Sequence, residues 1–255
     1  MTRLLVSVRT LDEALLAAET GVDLIDVKEP AHGPLGMADA DVRRAIGQRL
    51  GKQHRLSAAC GELLDWSQMP TGSYDPADWT DYRFAKIGLA GCAAHQQWPK
   101  DWSAWRRALP VWVEPVLVCY ADGQHCGAPC YDDLLAFAVE AKVRMLLFDT
   151  WDKRGPGLCQ LWQAADFLRV GQELQQAGIS FVLAGKLELA DVAGLSYYGA
   201  SYLGIRGAVC EPIHANGDAR CGNLNVKKIK TWQRSLKTVT HGTTPTLCKT
   251  IDHHY

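Results

Sequence analysis

The chain lacks a charge bias: its 255 residues carry 27 Lys and Arg against 28 Asp and Glu, a formal net charge of -1. No overall basic field is therefore available for nucleic acid or for an anionic membrane surface. No apolar run approaches the roughly 20 residues that cross a bilayer, and the opening stretch lacks the apolar core and small-residue cleavage site of a signal peptide. A cytoplasmic location is the expectation. No Pro-, Gly- or Ser-rich linker divides the chain, so residues 1–240 read as one domain and 241–255 as a poorly ordered tail. The nine cysteines are odd in number and scattered, which argues against a disulfide framework. His125, Cys126 and Cys130 have no second ligand pair at zinc spacing, so no metal site is expected, and His253–His254 reads as a loose end.

What is present is an alternation of short β-branched runs with longer amphipathic stretches. Strands are predicted at 4–8, 22–28, 54–59, 82–87, 112–119, 144–149, 180–184 and 201–205. Helices are predicted at 11–20, 38–50, 98–109, 131–141, 159–177, 187–195 and 226–235. The 62–78 stretch holds Pro70, Gly72 and Pro76 and has room for only a short helix. Strand–helix alternation of this kind builds parallel βαβ units. Eight strands in 255 residues fit a single-domain α/β fold of the (β/α)8 TIM-barrel type, with an open doubly wound sheet as the alternative, since periodicity does not reveal closure.

Charged residues collect where such a barrel keeps its chemistry, at the carboxyl ends of the strands. Strand 2 ends in Asp26-Val27-Lys28, and period-two alternation puts both charges on one face. Strand 4 ends near Lys86, and strand 6 ends in Asp149 with Lys153 in the following loop. Even-numbered strands feed the same layers of the barrel interior, so the three ends converge. A lysine desolvated there, with other lysines close by, loses its proton more easily and becomes a nucleophile for carbonyl carbon. After strands 7 and 8 come Gly185-Lys186 and Arg206-Gly207, a pattern suited to phosphate, which glycine backbone approaches closely and cations grip. The plainer reading of both glycines is that they are turn residues. Asp191 and Glu188 read as solvated helix charges.

The residues also resemble a known family. Leu4 to Val8, Gly21 to Pro30, Gly33-Pro34-Leu35-Gly36, Ala85 to Leu89, Asp149-Thr150-x-x-Lys153, Leu183-Ala184-Gly185 and Gly204 to Cys210 together resemble the (5-formylfuran-3-yl)methyl phosphate synthases. The resemblance implies a TIM-barrel carbon–oxygen lyase that makes the furan precursor of methanofuran-type cofactors. Its substrate would be two molecules of glyceraldehyde 3-phosphate, with loss of phosphate and water. It puts the Schiff-base lysine at Lys28, the proton-transferring lysine at Lys86, and their supporting residues at Asp26, Asp149 and Lys153. No cofactor or metal is implied, because the imine serves as electron sink. The expected partner is a small triose phosphate, not nucleic acid or membrane, and assembly as a homo-oligomer is expected. Two rivals stand beside this reading: a class I aldolase acting on another phosphorylated aldehyde, and a non-catalytic sugar-phosphate-binding barrel.

Overall fold

Among the described residues eight strands pair in parallel, each with the next one in sequence, and the eighth returns to pair with the first; Cys210–Glu211 and Asn223–Leu224 form a separate short antiparallel pair. The structure, a computed structural model, describes residues 1–66, 68–69, 74–212 and 218–239; the 241–255 tail lies outside the described residues. In chain order the elements are β1 (Arg3–Val8), α1 (Leu11–Glu19), β2 (Leu24–Val27), α2 (Ala40–Leu50), β3 (Leu56–Glu62), α3 (Leu63–Trp66), β4 (Phe84–Gly88), α4 (Trp98–Ala108) and β5 (Glu114–Tyr120). They continue with α5 (Gly123–Cys126), α6 (Tyr131–Glu140), β6 (Met145–Asp149), α7 (Leu158–Leu161), α8 (Ala164–Gln176), β7 (Ser180–Leu183), α9 (Val192–Tyr197), β8 (Tyr202–Ile205) and α10 (Val226–Thr238). The closed (β/α)8 barrel replaces the open sheet that the alternation alone left standing.

Alternation along each strand divides its side chains between two cores. Outward residues such as Val6, Ile25, Ile87, Leu117, Phe148 and Leu203 pack under the helices. Helix α4 supplies Trp98, Trp102 and Trp105 to that layer, on the i, i+4, i+7 stripe that faces a core. Inward residues Leu5, Leu24, Phe84, Met145, Leu147 and Tyr202 fill the barrel. Each such aliphatic or Phe side chain stabilises the fold by roughly 1.5–3 kcal/mol. One step further along the strands the inward residues turn polar: Ser7, Asp26, Ser57 and Lys86. The polar layer thus rests on a packed apolar plug.

Three segments differ from a regular helix between strands. In 62–78 the short helix is the four-residue α3, and a 3-10 turn at Pro76–Trp79 follows. Fully buried Trp79, stacked on Tyr74 and against Tyr82, covers the barrel where a third long helix would lie. The helix predicted at 159–177 is two, α7 and α8. The break falls at Trp162, which is extended, and the Asp166 carboxylate caps the Gln163 N–H to start α8. Trp162 packs edge-on against Phe148 and Phe167, and that tertiary contact is invisible to periodicity. The helix predicted at 187–195 begins as a 3-10 turn, and Asp191 is buried there, accepting the Glu188 N–H instead of facing solvent. No helix among the described residues is long and apolar enough to cross a membrane.

Candidate active site

A cavity of about 730 Å³ opens at the carboxyl ends of the strands. All nine residues singled out in the sequence line it: Asp26, Lys28, Lys86, Asp149, Lys153, Gly185, Lys186, Arg206 and Gly207. Its floor is the apolar plug, through Leu5 and Leu147, and its rim reaches Lys227 and Lys228 at the start of α10.

At the base of the cavity Asp26 is fully buried and takes three donors. Lys86 Nζ donates to Oδ1 at 2.5 Å, Ser57 Oγ to Oδ1 at 2.6 Å and Ser7 Oγ to Oδ2 at 2.9 Å. Strand register explains the two hydroxyls: Ser7 is the β1 partner of Asp26, and Ser57 its β3 partner. Burial pushes the Asp26 carboxyl up, but Lys86, Lys28 and these hydrogen bonds outweigh it and hold the group below its ordinary value. A second pair lies at the end of β6 and in the loop that follows, where Lys153 Nζ donates to Asp149 Oδ1 at 2.5 Å and the Thr150 N–H to the same oxygen at 2.8 Å. Burial again raises this carboxyl and is again outweighed, by Lys153, Lys28 and the Thr150 N–H.

Lys28 stands between the two pairs. Its side chain is buried, and no hydrogen bond holds its Nζ among the described residues. Burial lowers its pKa from 10.5 to about 8. The attraction of Asp149 and Asp26 opposes that fall, and repulsion from Lys153 and Lys86 assists it. An amine with these neighbours is available in neutral form near physiological pH, as nucleophilic lysine requires.

At the rim, Gly185 has a φ of +97°, and a Cβ there would come within 2.9 Å of the Thr150 backbone nitrogen and 3.3 Å of Asp149 Oδ1. Its missing side chain therefore lets the end of β7 close on the Asp149 carboxylate. Lys186 follows, its Nζ donating to the Gly155 carbonyl at 2.5 Å across the mouth, and Gly207 opens a 3-10 turn after β8. Arg206 corrects the expectation of a phosphate ligand. All five of its N–H groups are engaged, by the Glu13 carboxylate at 2.8 and 3.1 Å and by the carbonyls of Ser7, Arg220 and Gly222. It is a strut that ties α1, β1 and the 220–222 turn to the end of β8.

Ser7, Ser57, Glu62 and Tyr120 join the site without standing out in the sequence. The signal for the serines was a lone hydroxyl at an inward position of an otherwise apolar strand. Tyr120 O–H donates to Glu62 Oε1 at 2.6 Å and the Ala90 N–H to Oε2 at 2.9 Å, beside the mouth at the ends of β3 and β5. Burial holds the Glu62 carboxyl above its ordinary value despite both donors. Gly88 makes room for this pair, since a Cβ there would lie 2.1 Å from Glu62 Oε2. His125, Cys126 and Cys130 gather into no cluster of three metal-ligating side chains among the described residues.

Residues 4–233 match the sequence pattern of the 4-HFC-P synthase family. A (5-formylfuran-3-yl)methyl phosphate synthase from Methanopyrus kandleri is 29% identical over 230 residues, covering 89% of this chain and 97% of that protein. One from Methanococcus maripaludis is 26% identical over 230 residues, covering 89% and 96%. Among solved structures, a tryptophan synthase alpha chain from Legionella pneumophila superposes with a TM-score of 0.63 at 8% identity, over 94% of each chain. A 3-keto-L-gulonate-6-phosphate decarboxylase from Vibrio cholerae gives 0.56 at 12%, over 94% of this chain and 99% of that one. At these identities the structural likeness is one of fold.

Proposed function

The chain belongs to the 4-HFC-P synthase family, and from that premise we propose that it converts two molecules of glyceraldehyde 3-phosphate into (5-formylfuran-3-yl)methyl phosphate through an imine on Lys28. The observation that carries the reading is Lys28 itself: a buried amine with a pKa of about 8, its Nζ unbonded among the described residues, set between two carboxylate–lysine pairs.

The product's skeleton dictates the order of bonds. C3 of one triose must join C2 of the other, so the first triose has to lose its phosphate. Neutral Lys28 condenses with the aldehyde of that triose, releasing water, and the imine acidifies its C2–H. Loss of this proton expels the C3 phosphate and leaves C3 electrophilic. C2 of the second triose, deprotonated in turn, adds there. The C2 hydroxyl of the first triose closes onto the second aldehyde, two waters leave as the ring becomes aromatic, and hydrolysis of the imine frees Lys28. The balance is one phosphate and two waters per furan. Lys86, the partner of Asp26, is the proton carrier at the imine, and Lys153 with Asp149 serves the opposite side. Phosphate is held at the rim by the backbone at Gly185 and Gly207 and by Lys186, with Arg206 fixing that wall from behind. The reaction needs no cofactor. The enzyme would act in the cytoplasm, as a homo-oligomer, in making methanofuran-type cofactors.

The test is borohydride reduction in the presence of glyceraldehyde 3-phosphate, with peptide mass spectrometry. An adduct on Lys28 and a furan phosphate in the unreduced reaction are the expected results. Lys86→Ala should slow turnover by roughly 100-fold or more while the adduct still forms. Full turnover by Lys28→Ala would overturn the imine mechanism. A product that keeps both phosphates would mark a class I aldolase instead, and phosphate-ester binding with neither adduct nor product would mark a binding barrel.

A further inference from the structure

The Asp26 carboxylate has donors on both oxygens, and two of them come from residues to which the reaction above gives no part. On the proposed imine reading, we infer that Ser7 and Ser57 are positioning residues that fix Asp26 as a permanent counter-anion for Lys86, so that Lys86 and not Asp26 carries the proton.

Ser7 and Ser57 occupy the two strand positions flanking Asp26, one on β1 and one on β3. Both are 3% exposed, and a serine hydroxyl has a single proton to give. Each spends it on Asp26. Oδ1 also receives Lys86, which uses both of its lone pairs. A carboxylate so bound is stabilised in its charged form, because protonating it would set an O–H against donors that have no other acceptor. Such a group is a poor shuttle and a good anchor. Ser7 is fixed a second time through its carbonyl, which accepts Arg206 Nη1 at 2.9 Å. The rim strut and the Asp26 carboxylate therefore meet at Ser7. The other charged groups facing this hub are Lys28 from the end of β2 and, across the mouth, Asp149 at the end of β6 and Lys153 in the loop after it, which act on Lys28 in turn.

The experiment compares Ser7→Ala, Ser57→Ala, the double variant and Ser57→Thr in the full-length enzyme. Turnover to the furan phosphate is measured against pH, and borohydride trapping of Lys28 is run alongside. Each alanine variant is expected to lower kcat by about 10-fold with KM within about 2-fold, and to move the acid limb of the kcat profile up by about one pH unit. That is the scale expected for one hydrogen bond to a charged group. Trapping at Lys28 should persist, and Ser57→Thr, which keeps the hydroxyl, should restore both kcat and the limb. Alanine variants with wild-type kcat and an unmoved acid limb would overturn the assignment, as would a Ser57→Thr variant as impaired as Ser57→Ala. If Ser57→Ala does not fold, Ser7→Ala decides the matter by the same two readouts. Wild-type enzyme that makes the furan without a trappable adduct would overturn the imine and leave the serine comparison to be read from kcat and its pH profile.

Discussion

Lys28 is the residue at which the fold works against its own stability. In the unfolded chain its amine has the ordinary value of 10.5, and in the folded protein about 8. A depressed lysine penalises the folded state at pH values below its folded pKa. The penalty shrinks as pH rises from about 8 toward 10.5, where the unfolded chain gives up its proton too. A shift of this size corresponds to roughly 3 kcal/mol. Lys28→Met is therefore expected to be inactive yet more stable at pH 7, by up to roughly that amount, with the gain fading above pH 8. Urea unfolding at pH 7, 9 and 10.5 would check it, and a variant less stable at pH 7 would contradict this account of the lysine. The carboxylates run the other way, since Asp26 and Asp149 lie below their ordinary values and stabilise the fold until acid protonates them. Lys28, Lys86 and Asp149 were legible in the sequence as charges interrupting apolar alternation. Ser7 and Ser57 offered only a lone inward hydroxyl, which looks the same whether it fills space or holds a carboxylate.

At the scale of elements, the contact between β8 and α1 matters most. The Arg206 guanidinium is buried against Glu13, whose carboxylate also accepts the Arg9 N–H at 2.7 Å. Arg9 in turn pairs with Glu29, next to Lys28. Removing one partner of a buried pair leaves the other charge unpaired, at a cost of about 3–5 kcal/mol. Arg206→Met is accordingly expected to lower stability by that amount in the absence of any ligand, measured by denaturant or thermal unfolding. A loss under about 1 kcal/mol would mean that the strut carries little. The strands themselves were readable as short β-branched runs, and most helices from the longer amphipathic stretches between them. The split between α7 and α8 was not, since it depends on where the Trp162 ring lodges against β6.

Over the whole molecule the charges nearly cancel, yet their distribution does not follow the total. Eight basic side chains and four acidic ones line the cavity in a protein whose formal net charge is -1. A local positive field at a concave mouth draws in anionic substrates and is weakened by salt, with a screening length of about 8 Å near 0.15 M. KM for glyceraldehyde 3-phosphate should rise several-fold between about 0.02 M and 0.5 M salt, with kcat changing less. Steady-state kinetics across that range would check it, and a flat KM would show that the rim cations do not gather substrate.

By itself the sequence determined the βαβ order and the strand ends at which lysines and aspartates gather, Lys28 and Lys86 among them. These follow from local alternation and from the chemistry of each side chain. Only the tertiary structure decided that the sheet closes and that Asp26 holds Lys86 with the help of two serines. It alone turned Arg206 from a phosphate ligand into a strut. Those outcomes depend on partners 19, 31, 60 and 193 residues away. Strand register and barrel closure, which local pattern does not encode, bring such residues within hydrogen-bond distance.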